Sequence, residues 1–371
     1  MKIHESVLKY EEKAVYGLRS LYRRYGYLPY KMSKFEEYDL YVRNKDFLVS
    51  DHIITFTDTD GKLLALKPDV TLSIIKNGKD TCGVQKLCYN ENVYRVTKGA
   101  QSFRELMQVG LECVGDIDDY CIYEVIMLAA ESLSMISENY VLDISHMGIL
   151  SAVIDSLGIA DDDKKAILKC VGEKNVHGID SILDGNSVNA QPLKKLVNIY
   201  GSPEKVLPEL CAIAESIDIS SELSSLQRII ALLQKNSFGD HIRIDFSVVN
   251  DMSYYNGFVF KGFIESVSAG VLSGGQYDKL MKKMGRSSRA VGFAVYLDML
   301  ERLDDTDGGY DVDAIVLYDA KSDLSALSDT VKLLSENGKT VMVQRELPDD
   351  IRYKQLLKLN ERGVEILENN A

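Results

Sequence analysis

From about residue 149 to residue 236 the chain carries only helical patterns, and strand patterns stand on both sides. ILSAVIDSL, DKKAILKCV and LSSLQRIIALLQK space their apolar residues three and four apart, with Pro192, Pro203 and Pro208 in the connections. Strand signals resume in HIRIDFSVV (241–249), where Ile242, Ile244, Phe246 and Val248 share a face. A strand-rich domain interrupted by an all-helical insertion is the organisation this pattern predicts.

The flanking stretches fill in that domain. Residues 5–25 put Leu8, Val15, Leu18, Leu21 and Tyr22 on one side of a helix that Gly26 ends. Residues 53–66 form a hairpin about Asp60-Gly61. Its acidic DTDG is not a calcium loop, because Phe56 stands where that loop needs a carboxylate. Pro68-Asp69 opens a short helix stopped by Asn77-Gly78. Strands follow at about 84–96 and 103–114, then an apolar helix near 119–136. After YYNGFVFKGFIESV and AGVLSGGQYDKL, a helix is expected over about 291–303. The acidic, Gly-rich LDDTDGGYD (303–311) reads as a linker. Beyond it, VDAIVLY, helices near 324–334 and 351–359, TVMVQR and VEIL spell a small βαβαβ unit.

The strand FRELMQVGLE raises the functional question. Its odd positions, Met107, Val109, Leu111 and Cys113, are core. Its even positions, Arg104, Leu106, Gln108, Gly110 and Glu112, space a cation, an amide and a carboxylate along one face, with Gln108 and Glu112 roughly 13 Å apart. Taken alone, that face reads as the wet outer surface of a half-exposed sheet rather than as a pocket floor. Tyr254 and Tyr255, just before Asn256-Gly257, supply aromatic walls for a ligand or ordinary packing.

Composition narrows the partners. The chain has 371 residues, net charge −13, and no stretch near the roughly 20 apolar residues of a membrane span. MKIHESVLKYEEK lacks the apolar core of a signal peptide, and the six cysteines have no zinc spacing, so a cytoplasmic protein with reduced thiols and neither metal nor cofactor is expected. Such an acidic chain does not favour nucleic acid.

Together, Arg95 with FRELMQVGLE resembles motif 2 of the class II aminoacyl-tRNA synthetases. KPDVT (67–71), QVGLE (108–112) and VVNDMSYYNG (248–257) are similar to histidyl-tRNA synthetase and its paralogues, while SGGQYDKL (273–280) and VGFAVYLDML (291–300) resemble the glycine-rich segment and motif 3. The resemblance spans about residues 5–303 and implies an α+β class II core: an antiparallel sheet flanked by helices over 1–148 and 239–303, the insertion at 149–238, and a shortened anticodon-binding-like module at 311–371. It implies a histidine site at Asp69, Thr71, Gln108, Glu112, Tyr254 and Tyr255. A carboxylate at Glu112 or Asp69 would take the α-ammonium, Gln108 would bond the amino acid, and the tyrosines would flank the imidazole. Arg95 and Arg104 are candidate anion contacts.

The departures from the family pattern fall on phosphate chemistry. Asn250 replaces the catalytic arginine, with Asp251 and Ser253 after it. Met299 replaces the motif 3 arginine, Tyr296 a small glycine before it, Gln276 another arginine, Thr97 the motif 2 glutamate and Ser33 the motif 1 proline. One such arginine is worth about 10³–10⁵ in rate in phosphoryl transfer. The resemblance therefore implies a non-catalytic regulatory subunit of ATP phosphoribosyltransferase. It would activate a short-form catalytic partner, bind L-histidine, pair with itself through the class II core and assemble as a hetero-octamer, with tRNA not expected as a ligand. The alternatives are an active histidyl-tRNA synthetase or related amino-acid ligase, and a class II-like amino-acid-binding module regulating another protein.

Overall fold

The computed structural model describes residues 8–45, 48, 52–78, 83–96, 102–183, 189–236, 238–249, 255–300, 310–360 and 363–370. The chain divides into two compact units, Met1–Leu303 and Asp304–Ala371. Tyr254, Asn250, Asp251, Ser253 and Thr97, and most of the LDDTDGGYD stretch, lie outside the described residues.

The first unit opens with α1 (Tyr10–Arg24), whose Val15, Leu18, Leu21 and Tyr22 are buried. Next come β1 (Leu28–Pro29), β2 (Phe35–Glu37), α2 (Tyr38–Arg43), β3 (Thr55–Thr57), β4 (Leu63–Leu66) and α3 (Thr71–Asn77). Strands β2, β4 and β3 form a small sheet that includes the Asp60-Gly61 hairpin; Gly61 sits at φ +79°, a value that favours glycine. The long pair β5 (Val84–Val96) and β6 (Phe103–Gly115) leads to α4 (Asp119–Ile136), which the Asp118 carboxylate caps by accepting the Cys121 N–H.

The strand β7 (Tyr140–His146) then runs into α5 (Met147–Asp155), α6 (Asp161–Gly172), α7 (Val176–Leu183), α8 (Gln191–Asn198), the two-residue β8 (Tyr200–Gly201), α9 (Pro203–Ala214) and α10 (Ser220–Gln234). The chain returns to the sheet through β9 (Ile242–Asp245), β10 (Phe258–Ile264) and β11 (Leu272–Gln276), then α11 (Asp278–Lys283) and β12 (Arg289–Tyr296).

Nine strands form the main sheet in the order β1-β5-β6-β12-β11-β10-β7-β9-β8. The sheet is mixed, not wholly antiparallel, because β1 runs parallel to β5 and β7 to β9. The inserted helices bury Ile167, Leu193, Leu210 and Ile229 in the same apolar cluster as Val109, Leu142 and Phe260 of the sheet. The insertion also gives the sheet an edge strand, β8.

Four expectations fail locally. Residues 289–296 are a strand and not the start of a helix; among the described residues of that span only Leu297–Met299 coil, as a 3₁₀ turn. A short apolar run fits either period, and here pairing with β6 on one side and β11 on the other decides. The strand expected over 241–249 ends at Asp245, whose carboxylate accepts the Ser247 N–H and turns the chain. Met107, expected in the core, is 36% exposed, because β6 is covered only from about Gln108 onward. In the second unit, β13 (Val312–Leu317), α12 (Leu324–Glu336) and β14 (Val341–Gln344) are followed by β15 (Tyr353–Asn360) where a helix was expected, and then β16 (Gly363–Asn369). Its sheet order is β14-β13-β15-β16, and Leu356, Leu357 and Leu359 of β15 are buried.

Candidate functional site

Both faces of β6 are buried in its second half. Val109, Leu111 and Cys113 are inaccessible on one side, while Gln108 and Glu112 are only 3% and 2% exposed on the other. The even face is therefore neither wet nor an open floor. Glu112 is the centre of a closed polar cluster: Thr71 Oγ1 donates to its Oε1 at 2.8 Å and the Tyr277 hydroxyl to its Oε2 at 2.5 Å. Directly opposite on β12 is Gly292, where an added Cβ would lie 1.8 Å from Glu112 Oε2. A glycine is required there for the carboxyl group to lie flat on the sheet. Burial pushes the Glu112 pKa up to about 8, against the pull of its two hydroxyl donors, and the nearby Asp69 carboxylate adds to the rise.

The turn before α3 supplies the other carboxylate. Asp69 Oδ1 accepts the Leu72 N–H at 2.9 Å, and Oδ2 lies 3.5 Å from the Arg95 guanidinium. Burial raises the Asp69 pKa, opposed by Arg95 and by the N–H groups of Leu72 and Thr71. Arg95 also donates from Nε to the Pro68 carbonyl at 2.5 Å, so it clamps the Lys-Pro-Asp turn to β5. Arg104, its cross-strand partner in register, is exposed. Asp69, Thr71, Glu112 and Arg95 thus come together, while Gln108 shares the buried face of Glu112 farther along β6; Tyr254 lies outside the described residues.

The space beside Gly110, which carries no side chain, is filled by the protein itself. A Cβ there would meet the Tyr89 hydroxyl at 2.4 Å and the Phe293 carbonyl at 2.3 Å. Tyr255 lies against Gly275 of β11, where a Cβ would come 2.6 Å from its ring. Three further participants escaped the sequence reading. Tyr277 was quoted only as part of a glycine-rich motif, Tyr89 alternates unremarkably along β5, and Lys67, fully buried, pairs with Glu91 at 2.5 Å. Lys67 and Glu91 lie 24 positions apart, too far for any local pattern to join them.

The positions at which the resemblance implies departures do structural work. Gln276 is 3% exposed and its Oε1 accepts the Phe258 N–H at 2.8 Å, tying β11 to the start of β10. Met299 packs against the main apolar cluster. Tyr296 stands opposite Gln108, on the same face as Glu112. Burial raises its pKa, and its hydroxyl feels both Arg95 and Asp69. Met299 and Gln276, where the resemblance leads one to expect arginines, thus pack or bond within the protein, and Tyr296 puts a ring where it leads one to expect a glycine.

The family profile described as Histidyl-tRNA synthetase matches residues 3–300. The chain belongs to the histidyl-tRNA synthetase family. It is 29% identical over 286 residues to the ATP phosphoribosyltransferase regulatory subunit of Alkaliphilus metalliredigens, covering 75% of this chain and 72% of that one. Among solved structures, an ATP phosphoribosyltransferase regulatory subunit/histidyl-tRNA synthetase from Bacillus halodurans aligns with TM-score 0.72 and 23% identity over 90% of this chain and 88% of that one. The ATP phosphoribosyl transferase (HisG:HisZ) complex from Thermotoga maritima contains a chain that aligns with TM-score 0.61 and 21% identity, over 77% of this chain and 97% of that one. These likenesses establish the class II aminoacyl-tRNA synthetase-like α+β fold.

Proposed function

We propose that this family member is a regulatory subunit that activates a short-form ATP phosphoribosyltransferase, the first step of histidine biosynthesis, and takes part in its feedback inhibition by histidine. The observation that carries the reading is the asymmetry of the site. The carboxylate side is retained around Glu112, while Tyr296, Met299 and Gln276 occupy the phosphate side in packing and backbone roles. The regulatory-subunit name borne by the Alkaliphilus relative points the same way.

In this reading L-histidine is held by Asp69, Thr71, Gln108, Glu112, Tyr254 and Tyr255, and no amino-acid activation follows. The chain pairs with itself through the class II core and with catalytic subunits in a cytoplasmic hetero-octamer. Residues 149–238 are the family's helical insertion, and residues 311–371 a shortened relative of its anticodon-binding domain. Because Glu112 already has two hydroxyl partners, an incoming ammonium must displace Thr71 or Tyr277 or share the carboxylate with them. Calorimetry with L-histidine should give stoichiometric heat that Glu112→Ala abolishes. ATP–pyrophosphate exchange with histidine should stay at the level of a heat-killed control. Exchange at an ordinary enzymatic rate, about 1–10³ s⁻¹, would instead make the chain an active ligase.

A further inference from the structure

A second polar site lies on the same sheet face as Glu112, three strands beyond β12. Cross-strand partners share a face, and the row Glu112–Gly292–Gly275–Val259–Ser145 crosses the sheet from β6 to β7. One step along β7 on that face is Asp143, flanked in register by Lys261 of β10 and Arg243 of β9. Between these strands and the C-terminal end of α6 is a cavity of about 190 Å³ lined by Asp143, Asp245, Ser247, Lys261, Phe263 and Gly172. At roughly 30 Å³ per water it has room for about six waters or one small solute.

Its charges are of two kinds. Asp245 is fully engaged: Oδ2 pairs with Lys174 at 2.8 Å and Oδ1 accepts the Ser247 N–H at 2.8 Å. Arg243 is spent on the Asp240 and Ile242 carbonyls. Asp143 is 7% exposed, and its Oδ1 has no hydrogen-bond partner; Ser145 Oγ beside it has none either. Lys261 lies 5.3 Å from the Phe263 ring centre, and no ion pair joins it to the Asp143 carboxylate directly opposite among the described residues. Burial raises the Asp143 pKa to about 6, so the group is largely ionised at neutral pH. A buried carboxylate with an open acceptor is costly unless something donates to it.

We infer that this cavity binds a small zwitterion of amino-acid size, its ammonium group donating to Asp143 and its carboxylate facing Lys261. Of the charged lining residues Asp245 is paired with Lys174, which leaves Asp143 and Lys261 as one unpaired charge of each sign. A purely cationic solute meets Lys261, and a purely anionic one meets Asp143. Only a ligand carrying both signs satisfies both free poles. The site does not depend on Glu112 and stands whether or not histidine binds there.

The test uses the full-length chain and each of the common L-amino acids as probe, followed by calorimetry. At least one amino acid should bind with an affinity that falls about ten- to a hundredfold in Asp143→Asn and in Lys261→Met, the effect of losing one charge-assisted bond. Ethylammonium or acetate alone should bind far more weakly. Circular dichroism melts check that both variants fold; Lys261→Met, on a partly exposed side chain, carries the test if Asp143→Asn does not. The inference is overturned if no amino acid binds the wild type up to about 10 mM, or if every amino acid that binds does so with unchanged affinity in both the Asp143 and the Lys261 variant.

Discussion

Glu112 carries the most chemistry of any single residue here, because burial holds its proton near neutral pH. The folded chain keeps that proton after the unfolded chain, with its ordinary pKa of 4.5, has released it. Stability should therefore decline as pH rises from about 4.5 toward about 8, by up to about 1.4 kcal/mol per unit. Urea unfolding across that range should show the decline in the wild type and a flatter profile in Glu112→Gln; identical slopes would mean that Glu112 ionises freely in the fold. The same proton bears on ligand binding. If an ammonium group settles at Glu112 at neutral pH, it must expel about one proton, so histidine heats should vary with the ionisation enthalpy of the buffer. Gly292 is the complementary residue: Gly292→Ala brings a Cβ onto the Glu112 carboxyl and the Leu111 carbonyl. It should cost about 1–3 kcal/mol in denaturant unfolding and weaken histidine binding together.

At the scale of elements, what the sequence made legible followed period and punctuation. The hairpin at Asp60-Gly61, the β5–β6 pair, α4 and the run of helices after α5 each have a long or well-bounded pattern. Where the run was short and apolar, as in VGFAVYLDML, periodicity could not decide, and the strand exists because two neighbours pair with it. The helix expected over 351–359 failed for the same reason, since β13 and β16 flank that segment. Within the site, residues along one strand were legible; the partners that close the site, Tyr277 and Tyr89, are brought by pairing across the sheet. Gln276, where the resemblance leads one to expect an arginine, makes a structural bond. Gln276→Ala should leave the Phe258 N–H unpaired and cost about 1–3 kcal/mol, read by thermal or urea unfolding. A cost near zero would mean that the β10–β11 junction does not need it.

For the whole molecule, the first unit joins sheet and inserted helices through one continuous apolar cluster, so a change in the insertion has a packed route to the sheet. In the proposed role the chain acts by favouring one state of a partner, and any coupling to histidine must be reciprocal. Glu112→Ala should accordingly blunt inhibition while leaving activation largely intact, because the buried polar cluster is not a surface. The most direct measurement mixes this chain with a short-form ATP phosphoribosyltransferase and follows phosphoribosyl-ATP with and without L-histidine. The account predicts that the chain creates or strongly raises the activity and that histidine reverses the gain. Two proteins that neither co-elute nor change each other's activity at micromolar concentrations would contradict it.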